Sequence, residues 1–593
     1  MHENSDSTIQ TYQPLRIWVP LILLPLMVLA RFLPDLVPNG PGMMWAVAAF
    51  GPVLVGLLVM LWWLFASRAR WTERVVGLVA LVGLFVVVGL VLDRSMQGPL
   101  IIVMMIPMGI AGFAIGLILF SKWLSFHRTI FALGLALLGI SVSALLKNDG
   151  VWGNFAFGLD WRWNATPEEQ FLASRSSQAA APVTNDSLEK IRAALQNPEW
   201  PGFRGPDRDG TQHGQVFAAS WEKNPPEELW RIQVGPAWSS FAVAGGFLFT
   251  QEQRGDVEAV ACYNAETGAE VWSQTIASRF FEALGGLGPR ATPMIYDGCV
   301  YAMGAEGWLL KLDAADGQID WKVDVRQVAA CKPPIWGFSA SPLVVDGVAM
   351  IHCGGTGDKG ILAFDTANGE LLWSAAAGQQ SYGSLQIVML KDQRLLGLLS
   401  DEGAQFYNPV DGTSVFDYAW KHSGYRALQP QIIDGNKVLI PTGLGAGTRL
   451  IEVDRVGPTL IGKELWTSSK MKPDFNDVVV HHGYMYGFDN TIFACVDLTD
   501  GSLKWKGGRY GKGQVLLLAD SDLLLVLSET GNVVLLKADP TGHQELGTLS
   551  ALEGKTWNHP VVVNDRLYVR NAREAACYRL PTVNTNTSEL PQP

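Results

Sequence analysis

The chain has 593 residues, more than one hydrophobic core usually supports, so at least two domains are expected. Its formal charge of −11, without a basic run or a stripe of aromatics and cations, excludes a nucleic-acid-binding protein. The six cysteines (Cys262, Cys299, Cys331, Cys353, Cys495, Cys577) lie far apart with no CxxC pair, and read as buried small hydrophobes, not a zinc site or redox dithiol.

The 48% hydrophobic content is concentrated in the first 150 residues. Five apolar runs, near 17–33, 43–66, 75–92, 100–120 and 129–146, each fit the ~17–25 residues of a membrane-spanning helix. Arg16, then Arg68, Arg70 and Arg74, then Lys122 and Arg128 flank one side, whereas the other side carries only Arg94, offset by Asp93. By the positive-inside rule the N-terminus is cytoplasmic, and an odd number of spans places the rest of the chain outside the cytoplasm. Trp18, Trp45, Trp62, Trp63 and Trp123 suit an interfacial belt. The runs hold almost no ionisable residue besides Arg31, which favours an anchor over an ion path.

A connector spans 148–199, with short helices expected: Thr166-Pro167-Glu168-Glu169 reads as a helix start, Ser174–Pro182 as a loose linker, and Leu188, Ile191, Ala194 and Leu195 as helical spacing. The Gly/Pro-rich segment 200–227 begins with Trp200-Pro201-Gly202-Phe203-Arg204-Gly205-Pro206-Asp207-Arg208-Asp209-Gly210, which can be neither helix nor central strand. Asp207 and Asp209 lack the other positions of a calcium loop, so the segment is expected to pack as a structural loop on the rim of the C-terminal domain.

From residue 228 to 581 a phrase recurs at roughly 40–50 residues, the spacing of propeller blades. It reads Glu266-Thr267-Gly268 before Trp272, Ala315-Asp316-Gly317 before Trp321, Ala367-Asn368-Gly369 before Trp373, and Thr499-Asp500-Gly501 before Trp505. Weaker copies end at Phe416 and Leu546, and one keeps only Trp466. An apolar strand precedes each phrase, and before that comes a hairpin such as Asp297-Gly298 or Asp346-Gly347. Complete units fall near 238–276, 289–325, 339–376, 383–420, 428–468, 476–511 and 513–550. A last unit around 560–580 lacks its outer strand, and the ribbon Glu228–Val234, bearing Trp230, supplies it. The expected fold is an all-β, eight-bladed propeller closed by terminal strands, preceded by an α-helical domain of five membrane helices at 1–147. Residues 582–593 are expected to be a disordered tail.

The segments leading into the innermost strands converge on a propeller's axis. They carry Trp238, Arg290, Trp336, Tyr382, Arg426 with Gln429, Asn476 with Asp477, Arg509 with Lys512, and Trp557 with Asn558 and His559. Aromatic walls with a few convergent cations fit an anionic or polyhydroxylated ligand, with forked arginines on its carboxylates. His481-His482 lies in a hairpin turn with no third ligand nearby in sequence, so no metal is expected there.

Lys311-Leu312-Asp313 with Gly317 and Trp321, and Cys495-Val496-Asp497-Leu498 with Gly501 and Trp505, resemble the pyrroloquinoline quinone (PQQ)-type repeat of quinoprotein dehydrogenases and of a cofactor-free outer-membrane assembly lipoprotein. Trp200–Gly210, Ile335–Pro342 and Gly508–Gln514 resemble a bacterial group of PQQ-binding-like propellers, and the layout resembles membrane-bound quinoprotein glucose dehydrogenase. The resemblance implies an inner-membrane protein with a periplasmic propeller. Its function is either a binding or protein-interaction scaffold, or a PQQ- and calcium-dependent dehydrogenase passing electrons to quinone. In the second case Asp477, or else His559, is the candidate base; no calcium-ligand set is matched residue by residue.

Overall fold

The computed structural model describes residues 14–37, 43–153, 156–175, 191–379 and 382–583, which divide into two compact units. The side chain of Trp45, most of the linker after Ser174 with Leu188, and the tail after Val583 lie outside the described residues.

The first unit is helical: α1 (Trp18–Leu36), α2 (Met43–Leu61), α3 (Trp71–Gly89), α4 (Ile106–Leu119) and α5 (Ser125–Ala144). Among the described residues, four helical stretches are long and apolar enough to cross a membrane: Ala46–Ala66, Trp71–Gly89, Ile101–Leu119 and Ser125–Ala144. Five were expected. The apolar part of α1, Trp18–Pro34, is shorter and contains Pro25 and Pro34. At 1.5 Å per residue it spans about 25 Å, the lower limit for a crossing.

Close approach of α4 to α5 depends on missing side chains. A Cβ at Gly139 would meet the Met108 carbonyl at 2.6 Å, and one at Gly116 would collide with the Ala132 backbone. In the first turns of α3 and α5, Arg128 clamps Glu73 with two bonds of 2.7 Å, and Thr129 donates a third at 2.7 Å. The Arg128 and Glu73 side chains are only 3% and 0% exposed, so this expected flanking cation is neutralised inside the bundle. After α5 the chain forms an antiparallel pair, Leu146–Val151 with Phe157–Trp161, ahead of the expected connector helices and not itself foreseen. Gly150, Gly153 and Gly158 among aromatics disfavour a helix there. The expected helix start is present: Thr166 Oγ1 caps the Glu169 amide (3.1 Å), and Glu169 returns the bond to the Thr166 amide (2.7 Å), ahead of α6 (Pro167–Arg175).

The second unit is an eight-bladed propeller. Seven of its sheets have four strands and one has five. Blades 1 to 7 begin at Ala242, Met294, Leu343, Gln386, Gln431, Val479 and Gln514. Blade 8 joins Val561–Val563, Arg566–Arg570 and Glu574–Arg579 to the front ribbon Glu227–Gln233, with Trp230 opposite Cys577. The terminal closure read from sequence is therefore present.

Each blade tryptophan docks on its neighbour. Trp230 donates its indole N–H to Ala265 O (3.0 Å), Trp272 to Ala314 O (3.0 Å), Trp321 to Thr366 O (3.0 Å), Trp466 to Leu498 O (2.9 Å) and Trp505 to Asp539 O (2.8 Å). The phrase glycine makes room: at Gly369, φ is +74°, and a Cβ would sit 2.8 Å from Trp321. The acid ending the preceding strand caps the turn, as when Asp313 accepts from the Ala315 amide at 2.8 Å.

Candidate functional site

A belt of short polar side chains ties the starts of the innermost strands together. The Ser240 amide donates to Thr292 Oγ1 (3.0 Å), the Thr292 amide to Ser341 Oγ (2.9 Å), and the Ser341 amide to Ser384 Oγ (2.9 Å). Amide side chains continue the belt. Asn476 Nδ2 donates to Gly513 O (2.6 Å), Gln514 Nε2 to Trp557 O (3.0 Å), and Asn558 Nδ2 to Ser239 O (2.7 Å). Asn476 and Asn558 are fully buried, so both link blades in this structure.

The Trp200–Gly210 loop fills the centre of the belt, where a place on the rim was expected. Trp200 bridges Val243 of blade 1, and Pro201 O accepts from the Ile295 amide of blade 2 at 2.7 Å. Arg208 donates to Leu385 O of blade 4 at 2.7 Å and to Pro342 O of blade 3. Arg204 donates to Val478 O of blade 6 at 2.8 Å, and Phe203 packs edge-on to His559 of blade 8 at 4.9 Å. Thr211–Gln212 then adds a parallel strand to blade 7. A segment touching the inner edges of so many blades lies on the axis. Arg204 and Arg208 were missed because they precede the repeats, although two arginines in a Gly/Pro-rich loop were a visible signal. Both take left-handed backbone conformations (φ 60° and 56°). Burial lowers the Arg208 guanidinium to about 9, which leaves it cationic at neutral pH. Asp209 is a turn cap, accepting from the Thr211 amide at 2.9 Å.

Asp477 is 2% exposed, and both its oxygens are engaged, one by Arg204 at 3.2 Å and the other by His559 Nε2 at 2.7 Å. Arg290 pairs with Glu282 at 3.1 Å and lies over Phe280; burial lowers its guanidinium to about 10. Arg426 is 1% exposed and donates to Trp420 O (2.6 Å), Thr442 Oγ1 (3.1 Å) and Ser400 O. Lys512 pairs with Asp474, and Arg509 is exposed at the end of blade 6's outer strand. Gln429, 1% exposed, donates to Leu385 O at 3.4 Å. Trp336, Tyr382 and the unforeseen Tyr425 pack with centroids 4.6–6.2 Å apart. Trp238, Trp557 and Phe475 form a second cluster, with Lys555 4.4 Å above the Trp557 ring. Glu258, also unforeseen, is raised to about 7 by burial and by the neighbouring Glu306.

These residues do not fit PQQ, whose carboxylates need available cations. Arg290, Arg426 and Lys512 are spent on protein groups, and Asp477 is ion-paired where a base would have to be reachable.

Away from the axis, His481 Nε2 lies 2.6 Å and His482 Nε2 3.2 Å from Asp522 Oδ1. No third ligand was expected beside this pair; folding brings one from the hairpin of the next blade, 40 residues beyond His482.

Residues 222–384 match the family model described as outer membrane protein assembly factor BamB, a PQQ-type repeat. The outer membrane protein assembly factor BamB of Yersinia pestis is 23% identical over 370 residues, covering 58% of this chain and 76% of that protein. Among solved structures, BamB from Moraxella catarrhalis is 14% identical with a TM-score of 0.44, covering 60% of this chain and all (100%) of its own. Quinohemoprotein alcohol dehydrogenase from Comamonas testosteroni is 12% identical with a TM-score of 0.47, covering 72% of this chain and 86% of its own. Residues 222–384, within the propeller unit, are thus similar to PQQ-type repeats.

Proposed function

We propose that this chain is a membrane-anchored scaffold whose propeller, on the extracytoplasmic side of the inner membrane, binds other proteins, in keeping with its similarity to an assembly factor. The observation that carries the reading is the self-filled axis. Arg204 and Arg208 donate to carbonyls that frame the centre, so the middle of the wheel is committed to holding it rigid. What remains for protein partners is the periphery. Blade 5 bears a projecting ribbon, Gly447–Val456 paired with Thr459–Ser468, which outruns its inner neighbour beyond Glu452. Val456 and Ile461 on this ribbon are 60% and 50% exposed. Exposed apolar groups on a rigid projection suit a protein contact. Inside the wheel, half-exposed Trp238 and Trp557 with Lys555 are where this reading places a small anionic or polyhydroxylated ligand.

The test is photo-crosslinking in native membranes from a benzoyl-phenylalanine placed at Ile461 or at buried Leu535. A discrete adduct from Ile461 alone is expected. Equal smears from both positions, or none from Ile461, would remove the scaffold reading.

A further inference from the structure

We propose that His481, His482 and Asp522 form a divalent transition-metal site, of the zinc class, that clips blade 6 to blade 7. The repeats provide an internal control. Inner hairpins of other blades carry Gly245-Gly246, Asp297-Gly298, Asp346-Gly347, Lys391-Asp392, Asp434-Gly435 and Asn564-Asp565, preceded by Ala244, Tyr296, Val345, Leu390, Ile433 and Val563. Blade 6 has histidine both at the turn and before it, and blade 7 presents a carboxylate to that pair.

The donor atoms of all three residues lie within 4.8 Å of one another. Zinc holds nitrogen and oxygen donors at about 2.0–2.2 Å, which sets them about 3.3–3.6 Å apart in a tetrahedron, so the His481 ring, now 2.6 Å from Asp522 Oδ1, would part slightly from the carboxylate to admit an ion among the three donors. Imidazole with carboxylate favours zinc, copper or nickel over calcium. The turns are preformed. His482 and Asp522 hold φ of 48° and 52°, and the rings already lie 3.9 Å apart. His481 is tucked in, with a side chain 10% exposed, while His482 is 75% exposed and leaves a fourth position open to solvent. The neighbouring turn also receives the Gly214 and Phe217 amides on Asp520 and Ser521, so the ion would stiffen the point where the axial segment leaves the wheel.

The experiment is zinc titration calorimetry on the full chain in detergent, purified without a histidine tag and stripped with a chelator. One zinc per chain at micromolar affinity is expected, with visible cobalt bands of a tetrahedral site on substitution. H482N and D522N, both compatible with a left-handed turn, should each weaken binding at least tenfold, while H422Q leaves it unchanged; thermal melts confirm folding. Absence of saturable one-to-one binding, or undiminished affinity in both variants, would overturn the site.

Discussion

Arg204 and Arg208 do at the centre of the wheel what a backbone ladder does elsewhere: their forked donors satisfy carbonyls of strands that have no neighbour on that side. Truncation of Arg204 to alanine leaves the buried Asp477 carboxylate with His559 as its remaining side-chain partner, and should cost on the order of 3–5 kcal/mol in denaturant unfolding. Lysine at 204 should rescue little, because one ammonium cannot replace a planar fork. Glu258 makes a pH-dependent contribution. Its folded value of about 7 exceeds the ordinary 4.5, so between those values the folded chain holds a proton that the unfolded chain has released. Stability from this group therefore falls as pH rises through that window. Glu258→Gln should flatten the fall, and at about pH 8 should stabilise the fold by on the order of 2–3 kcal/mol in thermal melts. Buried His352, lowered to about 4, acts in the opposite sense below about 6.5, so the comparison is variant against parent. At this scale the sequence showed which residues lead into the inner strands, but not their partners. Whether Arg290, Arg426 and Lys512 meet a ligand or protein groups was open in the sequence, because Glu282, the Ser400 carbonyl and Asp474 become their neighbours only through folding.

Among elements, the unit of stability is one tryptophan on the neighbouring blade's glycine turn. Trp321→Ala removes a large, partly buried ring and its bond to Thr366 O, and should cost about 2–4 kcal/mol. Gly369→Ala meets both an unfavourable φ and the Trp321 ring, and should cost about 1–3 kcal/mol without removing any apolar surface. Measuring both by chemical denaturation, with the double variant less than additive, tests whether the two residues act together. In the helical unit, Gly116→Leu should separate α4 from α5 and lower the melting temperature in detergent, since the Ala132 backbone occupies that space. The blade elements were legible because turn glycine, outer tryptophan and alternating strands repeat, and degenerate copies inherit the pattern of intact ones. The hairpin at 146–161 was not, because a single short strand pair has no periodic signal to distinguish it from a linker. The Glu73–Arg128 pair escaped notice because 55 residues separate its members.

For the molecule as a whole, closure converts eight sheets into one cooperative object. Ile232 lies opposite Ala575 across the seam, so cysteines at both positions should form a disulfide on mild oxidation, seen as a loss of two hydrogens in the mass of the linking peptide. The seam was readable because the orphan ribbon around Trp230 and the incomplete last unit complement each other. The filled axis was not readable, because nothing local distinguishes a loop on a rim from a loop in a hub. That distinction decides the functional account, since a self-filled hub with committed cations points outward to partners. The most direct measurement is titration of PQQ with calcium into the purified full chain, following bound-chromophore absorbance and dye reduction with alcohols and sugars. The account predicts no stoichiometric chromophore and no substrate-dependent reduction; one quinone bound per chain with dye turnover would contradict it.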